Sequence, residues 1–327
     1  MSDERAPEIA VAVPTRDRPL RLRWLLNALE EQTLDRERFE VVVAHDSRGP
    51  ETAELLAEHP LADAGTLSAI EFPPHWGTAG AKRNAAWRAT RAPTVVFTDD
   101  DCRPPSYWLE RALAAARRHP GAVVQGRTEP DPDEVHLERA APHAHTRRVR
   151  PPEPWAQSCN IAYPRELLDR VGGFPDDLDS GEDTELAAKA RRAGAPYVAA
   201  PEVLTYHAVV PQTLREQLRG TRRWEDLPAM VERNPELRRD LPLWVFWKRT
   251  HVWIGPAAAG AALARRRGAR WALLALPYLI HALPQEYGTG PRGRVRALAE
   301  LPGRTAVDVA EVAALVRGSV RARNLLL

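Results

Sequence analysis

From residue 9 to about residue 200, short apolar runs rich in β-branched side chains alternate with longer segments whose apolar positions recur at helical spacing. The runs Ile9 to Val13, Phe39 to Ala44, Thr66 to Phe72, Thr94 to Thr98 and Ala122 to Gln125 predict strands. Residues 19 to 31, 51 to 58, 79 to 90 and 105 to 118 predict helices, with Pro or Gly at several boundaries. Strands alternating with helices predict an α/β sheet covered by helices. In such sheets ligands bind beyond the carboxyl ends of the strands, so the loops there are the first place to look for chemistry.

The pattern breaks twice. Residues 128 to 155 mix prolines, both charge signs and three histidines without a sustained period, and predict a long functional loop. His143 and His145 within it are candidate metal ligands or plain solvated side chains. Beyond residue 211 a basic helical stretch precedes two apolar runs, 252 to 264 and 271 to 283, each thirteen residues long and each carrying a proline. Both are shorter than the ~18–20 residues a spanning helix needs. Separated by "RRRGAR" and flanked by Trp244, Trp247, Trp253 and Trp271, they predict a hairpin dipping into one leaflet with arginines at the anionic surface. The alternative is a helical subdomain packed on the sheet or against another subunit.

Composition narrows the function classes. The chain has 327 residues, a formal net charge of +2 and two cysteines, Cys102 and Cys159. That length accommodates one large α/β domain with an appendage. The near balance of charge sets up no global field for nucleic acid. Two cysteines cannot build a disulfide framework, and the acidic polar start "MSDERAPEIA" does not read as an export signal, so a cytoplasmic location is expected.

Four stretches carry candidate chemistry. "TDDDC" puts Asp99, Asp100 and Asp101 where a strand ends. Alternating residues of an extended segment share a side, so Asp99 and Asp101 can face a divalent cation together while Asp100 points elsewhere. "SGEDTELAAKARRAG" reads as a helix with Glu182 and Asp183 at its start. There Ser180 and Asp183 have the spacing of a capping box, and a carboxylate at a helix start can also stay ionised and accept a proton. "HWGTAGAKRNAAW" is a glycine-bearing loop entering a helix with Lys82 and Arg83 near its beginning, suited to an anionic phosphate but lacking the spacing of an ATPase phosphate loop. "IAVAVPTRDRP" is a strand ending in a Pro-Thr-Arg loop, with Asp17 as the expected cap of the helix that follows.

In order, "VPTRDRP", "VVVAHDS", "GTAGAKRN", "TDDDC" and "VGGFPDDLDSGEDTEL" resemble the motifs of the nucleotide-sugar glycosyltransferases of family 2, over roughly residues 8 to 210. The resemblance implies a GT-A fold, a Rossmann-like mixed sheet flanked by helices. The implied divisions are a transferase domain at 1–210, a helical acceptor-side segment at 211–245 and a helical C-terminal extension at 246–327. It implies that Pro14, Thr15, Arg16, Asp46, Lys82, Arg83, Asn84, Asp99 and Asp100 line the nucleotide sugar, although His45 stands where the family commonly has Asp or Asn. It implies Mg²⁺ or Mn²⁺ at Asp101 and Asp99, with His207 as a further ligand, and Asp183 as the base of an inverting transfer. Trp155, Glu182, Arg223 and Trp224 would border the acceptor. "GTRRW" has Gly220 where processive members have Gln, which favours transfer of one sugar. The apolar C-terminal pair suggests a lipid-linked or cell-envelope glycan as acceptor, at the inner face of the plasma membrane.

Two other classes compete with that expectation. A sugar-phosphate nucleotidyltransferase would open with a glycine-rich loop, which "VPTRDRP" lacks. A non-catalytic nucleotide-sugar or glycan-binding protein on the same fold would have no need of Asp99, Asp101 and Asp183 together.

Overall fold

The computed structural model describes residues 6–283 and 290–327. The chain divides into two units: one runs to Val135 and resumes at Thr146–Val209, and the other comprises His136–His145 and Val210–Leu327.

The first unit is built on a mixed eight-stranded sheet. Its strands are β1 (Ile9–Thr15), β2 (Phe39–His45), β3 (Leu67–Glu71), β4 (Thr94–Phe97), β5 (Cys102–Arg103), β6 (Val123–Pro130), β7 (Ile161–Pro164) and β8 (Tyr197–His207). Their spatial order is β3-β2-β1-β4-β7-β6-β8-β5. β3, β2, β1 and β4 are parallel. β7 runs antiparallel to both β4 and β6, β8 is parallel to β6, and β5 is antiparallel to β8. The carboxyl ends of β1, β2, β4 and β8 therefore share one edge of the sheet.

The hydrophobic pattern explains this placement. Every residue of β1 is buried, as expected of a central strand covered on both faces, whereas the edge strand β3 exposes Ser68, Ala69 and Glu71. Along β1, Ile9, Val11 and Val13 join the leucines of the helix Pro19–Glu30 and Trp108 of the helix Trp108–Arg118. Ala12 faces the other way, into a cluster with Trp87 of the helix Ala79–Ala89, Phe97, Phe174 and Leu186 of the helix Glu182–Arg192. The period of two thus splits the core into two layers, one on each face.

The predicted strands and helices occur with shifts of a few residues, but β5, β7 and β8 were absent from the expectation. β5 and β7, of two and four residues, are too brief to show a period, and in β8 Pro201 and Glu202 interrupt the apolar run. The segment 128–155 is more ordered than a long loop. β6 continues to Pro130, Thr128 bridges Val149, and residues His136–Ala140 form a helical turn. The β6–β8 register shifts between Gly126 and Arg127. A Cβ at Gly126 would lie 2.4 Å from both Asn160 Nδ2 and the Val203 carbonyl oxygen, so only glycine permits this approach.

The second unit is helical. Its largest elements are the helices Arg249–Arg267 and Pro291–Ala322, the latter of 32 residues. A Cβ at Gly318 would lie 2.2 Å from the Glu225 carbonyl oxygen, and Arg317 and Arg321 both pair with the Glu225 carboxylate. Inside the unit, the buried Glu311 accepts from Lys248 Nζ at 2.7 and 2.9 Å and lies 3.2 Å from His251 Nε2. Of the two apolar runs, the first lies in Arg249–Arg267 and the second spans the 3₁₀ segment Ala269–Ala275 and the helix Leu276–Ala282. Among the described residues, no helix is long and apolar enough to cross a membrane. Leu273, Leu276, Ile280 and Trp244 remain exposed.

Candidate active site

The loop after β4 carries the three aspartates, and its turn separates their directions. Asp100 is wholly buried: its Oδ2 accepts the Thr15 hydroxyl at 2.6 Å, and its Oδ1 lies 2.6 Å from an Arg18 nitrogen. Burial pushes its carboxyl up to about 7, against the pull of Arg18. Asp99 and Asp101 turn instead toward His207, the last residue of β8. One ligand atom from each of the three lies within 4.8 Å of the others, and His207 Nε2 is 3.5 Å from Asp101 Oδ1.

Two carboxylates and an imidazole suit a divalent cation of the Mg²⁺ or Mn²⁺ type. The surrounding charges leave room for one. Arg83 holds Asp99 through Oδ1 and Arg18 holds Asp101 through Oδ2, so each carboxylate keeps a second oxygen.

Arg83 joins this corner to the start of the helix Glu182–Arg192. Buried to 5 % exposure, it donates to Asp99 Oδ1 at 2.6 Å and to Glu182 Oε1 at 2.8 Å. Burial opposes ionisation of Asp99, but the guanidinium, aided by His207, outweighs it and holds the carboxyl below its usual range. Glu182 goes the other way: burial and the neighbouring Asp183 push it up to about 7.

Asp183 is half-buried, and its Oδ2 accepts the Ser158 backbone N–H at 3.1 Å. Burial raises its pKa against the opposing pull of Arg83 and that N–H. The capping-box alternative does not hold, because Gly181 is the N-cap and makes no side-chain cap. Trp155, on the acceptor side of the expectation, anchors this helix start through its carbonyl, which accepts the Thr184 hydroxyl at 2.7 Å.

At the end of β2, Asp46 is buried and doubly paired. It accepts from Lys82 Nζ at 2.6 Å and from Arg16 Nε at 2.9 Å, with a second arm of Arg16 on its other oxygen. Burial works against the carboxylate, yet these two cations hold it down at about 2. Arg16 also donates to the Gly77 carbonyl at 2.8 Å, tying the β1 loop to the glycine-bearing loop. Pro14 sits in β1 opposite Ala44. His45, the last residue of β2, is buried with Nδ1 unpartnered.

Thr78 caps the helix Ala79–Ala89 by accepting from Ala81 N–H at 3.1 Å. Gly80 matters for closeness, since a Cβ there would lie 2.8 Å from the Pro175 carbonyl oxygen. Asn84 does structural work. Its amide donates to the Phe174 carbonyl and to Asp176, each at 2.9 Å, while its oxygen accepts from Phe174 N–H and Trp87 Nε1. The expected cap at Asp17 is absent: Arg18 is the N-cap, and Asp17 adopts φ 52° and accepts from Arg48 N–H at 2.8 Å.

Arg18 is the residue that motif reading missed. It contacts both Asp100 and Asp101, and its only sequence signal is its place as the second arginine of "PTRDRP". Arg223 and Trp224 belong to the second unit, where Trp224 packs edge to face on Trp247 and lies under the Lys248 ammonium at 4.7 Å.

The family model for glycosyl transferase family 2 matches residues 10–174, half of the chain. The chain belongs to this family. The match spans β1 through the Gly172-Gly173-Phe174 turn and so includes Asp46, Arg83 and the aspartate run.

Glycosyltransferase AglE of Haloferax volcanii is 24% identical over 220 residues, covering 65% of this chain and 71% of that protein. Validoxylamine A glucosyltransferase of Streptomyces hygroscopicus subsp. jinggangensis is 26% identical over 280 residues, covering 75% of this chain but only 64% of that enzyme. Among solved structures, the mannosyltransferase PcManGT from Pyrobaculum calidifontis, in complex with GDP-Man and Mn²⁺, superposes with a TM-score of 0.56. It is 21% identical and covers 96% of this chain and 87% of that one. S. aureus TarS 1-349 in complex with UDP-GlcNAc gives a TM-score of 0.53 at 17% identity, covering 97% of this chain and 92% of that one. These likenesses show the GT-A fold. The protein is a glycosyltransferase.

Proposed function

We propose that this glycosyltransferase moves a single sugar from a nucleoside-diphosphate sugar to a hydroxyl of a glycan acceptor, with inversion at the anomeric carbon. The observation that carries the reading is the Arg83 fork, which ties Asp99 of the cation corner to Glu182, the residue beside Asp183. The helix start that carries Asp183 and the cluster that contains Asp99 are thereby tied to one guanidinium.

Asp183 acts as the base. The Ser158 N–H orients its carboxylate, and burial lifts its pKa toward the operating range, where a general base is most effective. It takes the proton of the acceptor hydroxyl while that oxygen attacks the anomeric carbon, and the carbon–oxygen bond to the diphosphate breaks on the opposite face. Asp99, Asp101 and His207 would hold Mg²⁺ or Mn²⁺, which when bound supplies Lewis-acid neutralisation of the departing diphosphate. Thr15, Arg16 and Lys82 border the nucleotide, and Asp46 serves it by fixing the two cations.

A lipid-linked or cell-envelope acceptor, with peripheral contact at the inner face of the plasma membrane, fits the exposed Leu273, Leu276 and Ile280 beside the arginines at 265–267 and 270. The solved neighbours carry different nucleotides, GDP in one and UDP in the other, so the donor is found by screening.

Hydrolysis and binding of a panel of UDP-, GDP- and dTDP-sugars, with and without Mn²⁺, tests the reading. Wild type should bind one donor class in a cation-dependent way. Asp101→Ala should lose the cation dependence, and Asp183→Asn should bind donor without transferring. Failure of every donor to bind refutes the reading, and full transfer by Asp183→Asn refutes the base. Sedimentation with anionic liposomes tests the membrane contact, which falls if the Leu273→Ser, Ile280→Ser double variant sediments as wild type does.

A further inference from the structure

A cavity of about 710 Å³ opens in the first unit between the helix Pro19–Glu30, β5 and the segment that follows β6. That volume lies within the ~300–1,000 Å³ range of small-molecule sites. Arg103 of β5 and Tyr206 of β8 are cross-strand partners and both line it. The adjacent pair in the same register is Cys102 and His207. Successive strand residues face opposite sides, so the cavity backs onto the cation corner through the thickness of this ribbon.

Its lining combines an aromatic surface with carboxylates that outnumber the guanidiniums, Glu31, Asp131, Asp133 and Glu134 against Arg103, with Arg21 beside them. Trp24 is 40 % exposed, although Leu22, Leu25 and Leu26 around it on the helix are fully buried. Arg21 lies 4.8 Å from the centre of the Trp24 ring and is itself paired with Glu134 at 2.6 Å. Arg103 is fully engaged: it donates to both oxygens of Asp131, at 2.7 and 2.5 Å, and to Asp133 at 2.6 Å. Every cation at the wall thus has a carboxylate partner, which leaves no surplus positive charge for a phosphate or nucleotide.

Hydrogen bonds tie one side of the wall together. Gln32 donates to the Pro105 carbonyl at 2.9 Å and accepts from Leu109 N–H at 2.9 Å, clamping the proline-bearing segment to the helix.

We propose that this cavity binds a neutral saccharide unit. An exposed indole offers a surface for the C–H faces of a sugar, and the carboxylates fixed by Arg103 and Arg21 retain lone pairs that accept sugar hydroxyls. As a subsite that holds a distal unit of the acceptor glycan it rests on the transferase reading, whereas saccharide binding itself does not.

The test uses the full chain. Saturation-transfer NMR and calorimetry are run with methyl α-mannoside, methyl β-glucoside, methyl β-galactoside and maltotriose, and in parallel with UDP and GDP plus Mn²⁺. At least one neutral glycoside should bind wild type, and Trp24→Ala should weaken it about tenfold or more while nucleotide binding stays unchanged. Trp24→Phe should retain part of the affinity. Trp24 is a surface residue of its helix, so circular dichroism should show Trp24→Ala folded as wild type is. With an acceptor in hand, Trp24→Ala should raise KM for it and leave kcat unchanged. Absence of saccharide binding to wild type, or equal binding to folded Trp24→Ala, overturns the proposal. If no nucleotide sugar binds while a saccharide does so through Trp24, the transferase reading falls and the cavity assignment stands.

Discussion

Arg83→Met keeps an unbranched side chain of similar reach and removes the guanidinium that joins the two halves of the site. Arg83 is 5 % exposed, and it holds Asp99 at 2.6 Å and Glu182 at 2.8 Å. Removing one partner of a buried ion pair costs roughly 3–5 kcal/mol, because the other charge is left uncompensated. The Asp99 carboxylate is 24 % exposed and water can screen it, whereas Glu182, at 11 %, has little such relief. The expected loss is therefore about 3 kcal/mol, the lower end of that range, and Glu182 carries most of it.

The loss should also depend on pH. Glu182 is pushed from an ordinary 4.5 up to about 7 in the folded protein. A carboxyl raised on folding loses stability as pH climbs from its unfolded value through its folded one. Without Arg83 the folded value rises further, so the penalty is largest near pH 8 and fades toward pH 5 as the carboxyl takes up a proton. Urea unfolding followed by tryptophan fluorescence at pH 5, 6.5 and 8 measures this. Addition of Glu182→Gln to the variant should recover much of the stability at pH 8. A loss below about 1 kcal/mol at pH 8, or one that does not change with pH, would refute the view of Arg83 as the buried tie between two carboxylates.

Other outcomes follow from single contacts. Asp183→Asn should lower kcat by about 10²–10⁴ with donor affinity retained. The wild-type rate should fall on the acid side at a pH above the ordinary carboxylate range, because burial raises the Asp183 pKa and the base works only when ionised; an acid limb near pH 4 in the pH–rate profile would count against it. Gly173→Ala should destabilise by about 1–3 kcal/mol, measured by thermal unfolding, since φ is 76° there and a Cβ would sit 2.4 Å from Asn84 Oδ1. Glu311→Ala should cost about 3 kcal/mol or more and speed hydrogen exchange in the helix Pro291–Ala322, because Lys248 and His251 lose their shared buried carboxylate.

The β1 to β4 half of the sheet was legible because β1, β2 and β4 are apolar, largely buried runs, and its helices carry periods and boundary signals. β5, β7 and β8 were not: two and four residues hold no period, and Pro201 and Glu202 interrupt the apolar run of β8. Asp99, Asp101 and Asp183 could be picked out from residue type and position in the motifs. Their electrostatic setting could not, and neither could Arg18. Asn84 looked like a nucleotide contact from its place after Arg83, but its hydrogen bonds go to the Phe174 turn, 90 residues away.

What the chain determines by local pattern alone is the alternation of strands and helices, the edge of the sheet that carries the loops, and which loops hold acids and cations. Those properties follow from nearest neighbours and from period. The tertiary structure decided which acid faces which cation. Asp100 turned inward to Thr15 and Arg18, Asp99 and Asp101 turned toward His207, and Arg83 reached Glu182 across 99 residues of chain. Adjacent aspartates of identical chemistry are thus driven apart, one pushed up by burial and one held down by a buried guanidinium. Only the packing of distant segments sets desolvation and charge proximity, and those two quantities give each carboxylate its role.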